Sequence, residues 1–251
     1  MKPNAARAGM ARLGVRLALL GALIATPAAA GDRALLDIIG YSPDGRYFAF
    51  EEYGIQDGSG FAYSSIYIVD LPADKWVYAS PYRAQADETN TDRPLADVRA
   101  EARAAAEEKL EPLAIGEPAD ILVLLGDGVA NADGKQLTFS IPSWGPPGAT
   151  QEGSESTLSL TTFPADSPEP CEDYIGQKAV GYALALDENG QTRELHRDKV
   201  LPKSRGCTLD YRLYAVVERF SGGRGRVAIL SSYPFGFEGP DRRFLAVPLD
   251  R

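Results

Sequence analysis

The chain has 251 residues, with 26 Lys and Arg against 35 Asp and Glu, one His and two Cys. A net charge of −9 gives no electrostatic basis for binding nucleic acid or an anionic membrane face, because both are held through a surplus of cationic side chains. The D-x-D-x-D-G calcium loop, the G-x-S-x-G elbow, the P-loop and the dinucleotide fingerprint are all missing, so no metal and no cofactor is expected.

The first element is a targeting segment. Lys2, Arg7, Arg12 and Arg16 form a basic stretch, Leu17 to Ala25 is a short apolar run, and Ala28 and Ala30 stand at the spacing of an A-x-A cleavage site. That order is the pattern of a secretory signal peptide. The run is too short to span a bilayer, which takes about 20 apolar residues. No Cys follows it and no Arg-Arg pair precedes it, so neither a lipid anchor nor the twin-Arg route is indicated. Residues 31–251 are read as one secreted, β-rich, periplasmic domain with no membrane insertion. Loss of residues 1–30 removes four basic residues and no acid, which moves the net charge from −9 to −13. Cys171 and Cys207 both remain, and an oxidising compartment favours a disulfide between them over two free thiols.

From Leu35 to Tyr82 the chain reads as four short antiparallel strands. "LLDIIGY" is followed by "SPDG", a type I turn in composition. "RYFAFEEY", "SSIYIVDL" and "KWVYASPY" are rich in strand formers. The texture then changes. "PLADVRAEARAAAEEKLEPL" is Ala-rich, with Pro94 suited to a first turn. Leu95, Val98, Ala102, Ala105, Ala106 and Leu110 fall on one stripe, which predicts one amphipathic helix, about 94–111, covering a sheet face.

Further strand patterns follow in "ILVLLG", "KQLTFSI", "TLSLTTF", "KAVGYALAL", "YRLYAVVERF", "RVAILSSY" and "RRFLAVPL". Asp-Gly in "NADGKQ" and Asn-Gly in "DENGQT" are hairpin signals. Pro142–Ser156 and Pro164–Asp173 are long Pro-containing loops of the kind that carry function or move. The fold class is therefore mainly β, with antiparallel sheets arranged as propeller-like blades or a two-sheet sandwich. Gly45–Tyr53 and Gly225–Tyr233 match in length and pattern, which points to two related sheet units, 35–82 and 211–249.

Two loops between those strands concentrate acids and aromatics. In the first unit Asp57, Phe61 and Tyr63 are expected near Glu51 and Tyr53. In the second, Phe235, Phe237 and Glu238 occupy the matching position. Carboxylates beside aromatic faces suit a sugar or a cationic group, and these eight residues are the candidate ligand or partner surface. Glu51 and Glu52 are adjacent on a strand, face opposite sides and cannot act as a pair. His196 stands among charges in "RELHRDKV", and any Ser-His-Asp arrangement would have to use it.

"GYSPDGRYFAFEEYGIQDGSGFAYSSIYIVDL" with the following "WV", and later "LPKSRGC" and "GFEGPDRRFLAV", resemble signatures of a family of predicted secreted bacterial proteins of unknown function. The resemblance implies export and brings no established activity or catalytic residue. "SPDGRYFAF…IYIVDL" is also similar to single blades of exported propeller proteins that assist envelope complexes, which bears on fold and not on function. The expectation is an exported binding or interaction module without catalysis, its partner an envelope protein or a saccharide. The alternative is an envelope polysaccharide hydrolase using paired carboxylates.

Overall fold

Three antiparallel sheets and one long helix account for the regular structure in the computed structural model, which describes residues 31–129 and 132–250. The signal-peptide pattern of residues 1–30 lies outside the described residues. Sheet I contains β1 (Leu35–Tyr41), β2 (Tyr47–Ile55), β3 (Ala62–Asp70), β4 (Lys75–Trp76) and β5 (Tyr82–Gln85), the last two both paired to β3. Helix α1 (Leu95–Leu110) follows. Sheet II joins β6 (Ala119–Leu124) to β11 (Thr208–Arg219), β12 (Val227–Pro234) and β13 (Arg243–Pro248), in the order β13-β12-β11-β6. Sheet III is the meander of β7 (Gln136–Phe139), β8 (Ser156–Ala165), β9 (Ala179–Glu188) and β10 (Gln191–Arg197). A short helix, α2 (Cys171–Ile175), sits between β8 and β9.

Burial explains the stacking. Sheet II is covered on both faces, so β12 opens with four consecutive apolar residues, Val227 to Leu230. Val227 and Ile229 pack with Phe48, Phe50 and Val69 of sheet I, whereas Ala228 and Leu230 pack with Leu158, Leu184 and Leu186 of sheet III. In β11 a register shift between Leu213 and Ala215 changes the phase. Leu213 and Val216 therefore face sheet III, while Ala215 and Val217 face sheet I. On its outer face sheet I meets α1, where Val98, Ala102, Ala106 and Leu110 close over Ala49, Ile66 and Ile68. The helix thus covers a sheet face. Ala105, placed by its spacing on the buried stripe, is exposed instead.

The turns sort by their backbone. "SPDG" closes the β1–β2 hairpin, with Gly45 N–H donating to Ser42 O at 2.9 Å. Asn189 and Gly190 join β9 to β10 with φ of 55° and 77°, the two positive values a tight I′ hairpin needs. Asp133-Gly134 makes no hairpin, because β6 and β7 belong to different sheets. "KWVYASPY" is split into β4 and β5. β10 has no strand pattern in the sequence because its exposed positions are polar or charged and only Leu195 is apolar. Cys171 and Cys207 form the disulfide, with Cα atoms 5.3 Å apart. Among the described residues no helix is long and apolar enough to cross a membrane.

Candidate functional site

The acid pair on β2 divides as strand alternation requires. Glu51 turns toward α1, where Arg99 donates to both of its oxygens at 2.8 and 2.7 Å and Ser64 Oγ donates at 2.8 Å. The same guanidinium lies 3.8 Å from the ring centre of Tyr53 and donates to Asp37 at 2.7 Å. Glu51 and Tyr53 are therefore engaged in holding α1 to sheet I.

Glu52 turns the other way, into the seam between sheets I and II. It accepts the Phe244 N–H at 2.7 Å and lies 3.8 Å from Arg243 Nε. Burial outweighs both contacts and pushes its carboxyl up to about 7. Arg243 donates to Tyr63 Oη at 2.8 Å, to Asp32 at 3.1 Å and to Asp241 at 3.3 Å. Burial also pushes the Tyr63 phenol up to about 12. Asp57 joins this cluster through its backbone, its N–H donating to Asp32. The two aromatic-acidic loops thus share one end of the molecule, fastened by Asp32, Asp241 and Arg243. Phe235 and Phe237 project from that end, with Phe237 99% exposed, and Glu238 is exposed beside them. Phe61 is half-buried. A cavity of about 380 Å³ opens next to Glu52, with Arg83, Lys203 and Arg205 among its lining residues.

A larger cleft, of about 1100 Å³, lies at the opposite end of sheet II, between it and sheet III. Its floor is unusual. In the β6–β11 register Asp120 stands directly opposite Glu218, so two carboxylates share one face at neighbouring positions. Glu218 is only 8% exposed. Neither residue has an ion pair or a hydrogen bond among the described residues. Burial first, and then the Asp120 charge, raise the Glu218 pKa, and the Arg226 charge offsets them only in part. The other acids of the cleft are answered. Arg226 donates to Asp250 at 2.6 Å and to Glu188 at 3.0 Å. Asp250 also accepts the backbone N–H groups of Gly225 and Arg226 at 2.8 and 2.9 Å. Burial raises Asp250, but the bonds from Arg226 more than offset it and leave the carboxyl below its ordinary value.

Two exposed aromatics border this cleft, Trp144 at 102% and Phe220 at 71% exposure. Both are mounted on ordered backbone. The Trp144 loop is closed by Ser143 N–H donating to Ala149 O and Gln151 N–H to Ile141 O, each at 2.9 Å. Phe220 N–H donates to Pro118 O at 2.9 Å, and the flanking Arg219 and Ser221 both bond to Glu117. Glu117 is itself set by Gly40: its backbone crosses β1 so closely that a Cβ at Gly40 would lie 2.3 Å from Glu117 O, and Gly40 has φ +130°.

Residues 49–250 match the family model described as predicted secreted protein (DUF2259). The chain belongs to that family. No match is found among curated proteins or among solved structures. Membership brings no residue roles, so the assignment of a site in this family member stands on geometry alone.

His196 stacks on Tyr182 with ring centres 4.6 Å apart. Its Nε2 lies 2.9 Å from Asp198 and its Nδ1 4.0 Å from Asp74. Both nitrogens face carboxylates rather than a hydroxyl, which is not the geometry of a nucleophile-activating base. The Asp120–Glu218 pair was out of reach of sequence reading, because β6 pairs with β11 across a long stretch of chain. The usable signal was the Pro/Gly-rich loop Pro142–Ser156 with a Trp at its exposed turn.

Proposed function

We propose that this protein is an exported, periplasmic binding module whose ligand enters the cleft between sheets II and III. One observation carries the reading: Glu218, a largely buried residue, presents its carboxylate to a cleft of about 1100 Å³ without a hydrogen-bond partner of its own among the described residues, opposite a second carboxylate. Two like charges directly opposite on neighbouring strands are costly to a sheet, and nothing in the packing of sheet II calls for them. Exposed aromatics on hydrogen-bonded loops at the rim fit a recognition site, since they offer apolar faces to a ligand beside the carboxylates. The test is a thermal-shift screen of the oxidised mature domain against saccharides, cell-wall fragments, amines, anions and divalent metals. A ligand at about 100 times its dissociation constant adds about 2.7 kcal/mol of stability. Wild-type protein is expected to shift with at least one class, and W144A to lose that shift. Absence of any shift refutes the reading.

The carboxyl pair also favours a second reading, glycoside hydrolysis, with Glu218 protonating the leaving oxygen and Asp120 acting on water or on the sugar. Release of reducing ends from envelope polysaccharide, abolished in E218Q, would establish it.

A further inference from the structure

We propose that the cleft binds an organic cation, an ammonium or guanidinium group held between Asp120 and Glu218. This rests on the reading of the cleft as the ligand site and adds the class of ligand. Residues directly opposite on antiparallel strands have Cβ atoms about 4.5–5.5 Å apart, and like charges there destabilise the sheet. Asp120 and Glu218 hold that relation with no cation of the protein between them. Arg226, whose charge acts on Glu218 without an ion pair, is committed to Asp250 and Glu188.

Each ligand class answers this arrangement differently. An anion adds a third negative charge. A neutral sugar brings hydroxyl donors but leaves the repulsion in place. Calcium and magnesium take six or more oxygen ligands and zinc four from His, Cys or carboxylate, and no group of three His, Cys, Asp or Glu able to hold a metal occurs among the described residues. An organic cation reverses the repulsion and donates a hydrogen bond to each carboxylate. Its apolar carbons and its charge both suit the faces of Trp144 and Phe220.

Glu218 gives the site a pH signature. The charged groups around it are Asp120 on β6, Arg226 just before β12, Asp250 beyond β13, and Glu188, Arg193 and Arg224 on the cleft walls. The Arg226–Asp250 pair holds its charge through the neutral range, because burial is outweighed by the bonds between the two, which lower the Asp250 carboxyl and raise the Arg226 guanidinium. Glu218, raised by burial and by Asp120, must give up its proton to receive a cation, so binding strengthens as pH rises.

The experiment is isothermal titration of the oxidised mature domain with spermidine, agmatine and choline, with cellobiose and inorganic phosphate as the neutral and anionic arms. Wild type is expected to bind spermidine or agmatine more tightly at about pH 8 than at about pH 5, with proton release at the lower pH. D120N and E218Q should each weaken binding about tenfold or more, the worth of one charge-assisted hydrogen bond. Both are near-isosteric and remove a repulsion, so their ligand-free unfolding midpoints should equal or exceed that of wild type, which separates lost binding from lost folding. Binding of cellobiose or phosphate with no binding of any cation overturns the ligand class and leaves the cleft as a ligand site. Cation binding that survives both D120N and E218Q places the cation elsewhere and overturns the inference. Silence from every probe and from the wider screen refutes both readings.

Discussion

Replacing Glu52 by Gln should stabilise this protein at alkaline pH and leave it unchanged in acid. Glu52 is 3% exposed, and burial lifts its carboxyl from the ordinary 4.5 to about 7. Below pH 4.5 the group is protonated in both the folded and the unfolded chain, and no penalty arises. Between 4.5 and about 7 the folded chain keeps a proton that the unfolded chain has released, so stability falls as pH rises. Above that window the folded chain carries the whole cost of a buried carboxylate. At about 1.4 kcal/mol per pH unit the cost is about 3 kcal/mol.

E52Q removes the ionisation and keeps an oxygen for the Phe244 N–H, now bonded at 2.7 Å. The new amide N–H₂ faces the cavity of about 380 Å³ that Glu52 already lines. For a domain of this size 1 kcal/mol moves Tm by about 2–4 °C, so E52Q should melt about 6–12 °C above wild type at about pH 8. Near pH 4 the two should coincide. Thermal unfolding followed by circular dichroism, with the disulfide intact, measures both. E52A is the contrast: it too escapes the ionisation cost but strands the Phe244 N–H, and should lie about 1–3 kcal/mol below E52Q at every pH. If E52Q melts below wild type at pH 8, the attraction of Arg243 at 3.8 Å exceeds the burial cost, and the reasoning fails.

Two further outcomes test the frame. Opening Cys171–Cys207, by reduction or by C171S with C207S, frees a link of sequence separation 36 and should cost about 4 kcal/mol, read as a fall in the urea midpoint with little change at the cleft. On α1, A106E should cost about 3 kcal/mol or more because it forces a charge against Ile66 and Ile68. A105E should stay within about 0.5 kcal/mol of wild type, and equal losses for the two would mean that the helix packs on a different face.

Local signals in the sequence were readable where one residue's neighbours decide its structure. Asn189-Gly190 turns because its φ values are positive, and Val98, Ala102, Ala106 and Leu110 are buried because their spacing matches the helix period. Ala105 shows the limit of that logic, since one position of rotation separates a covered methyl from an exposed one. Sheet membership was not readable. "ILVLLG" looks like any short apolar strand, and nothing local says that it leaves its sequence neighbour β7 to pair with β11. The same applies to the shift at Leu213 and Ala215, which lets one strand serve two cores.

The candidate sites follow the same division. The acids and aromatics conspicuous in the sequence, Glu51, Tyr53 and Tyr63, belong to short-range motifs, and in the structure each meets an arginine: Arg99 for the first two, Arg243 for the third. A residue with a partner of its own has little left to offer a ligand. Asp120 and Glu218 attract no notice in the sequence because each is a single acid in a strand. Their meaning comes from the register that sets them face to face and from the absence of a cation between them. Sheet II would be more stable with an apolar pair there, as it has at Val216 and Val123 one step along the same strands. A cost borne at the rung beside Val217–Ile121, at the floor of a cleft of about 1100 Å³, argues for a ligand more strongly than any cluster of satisfied charges.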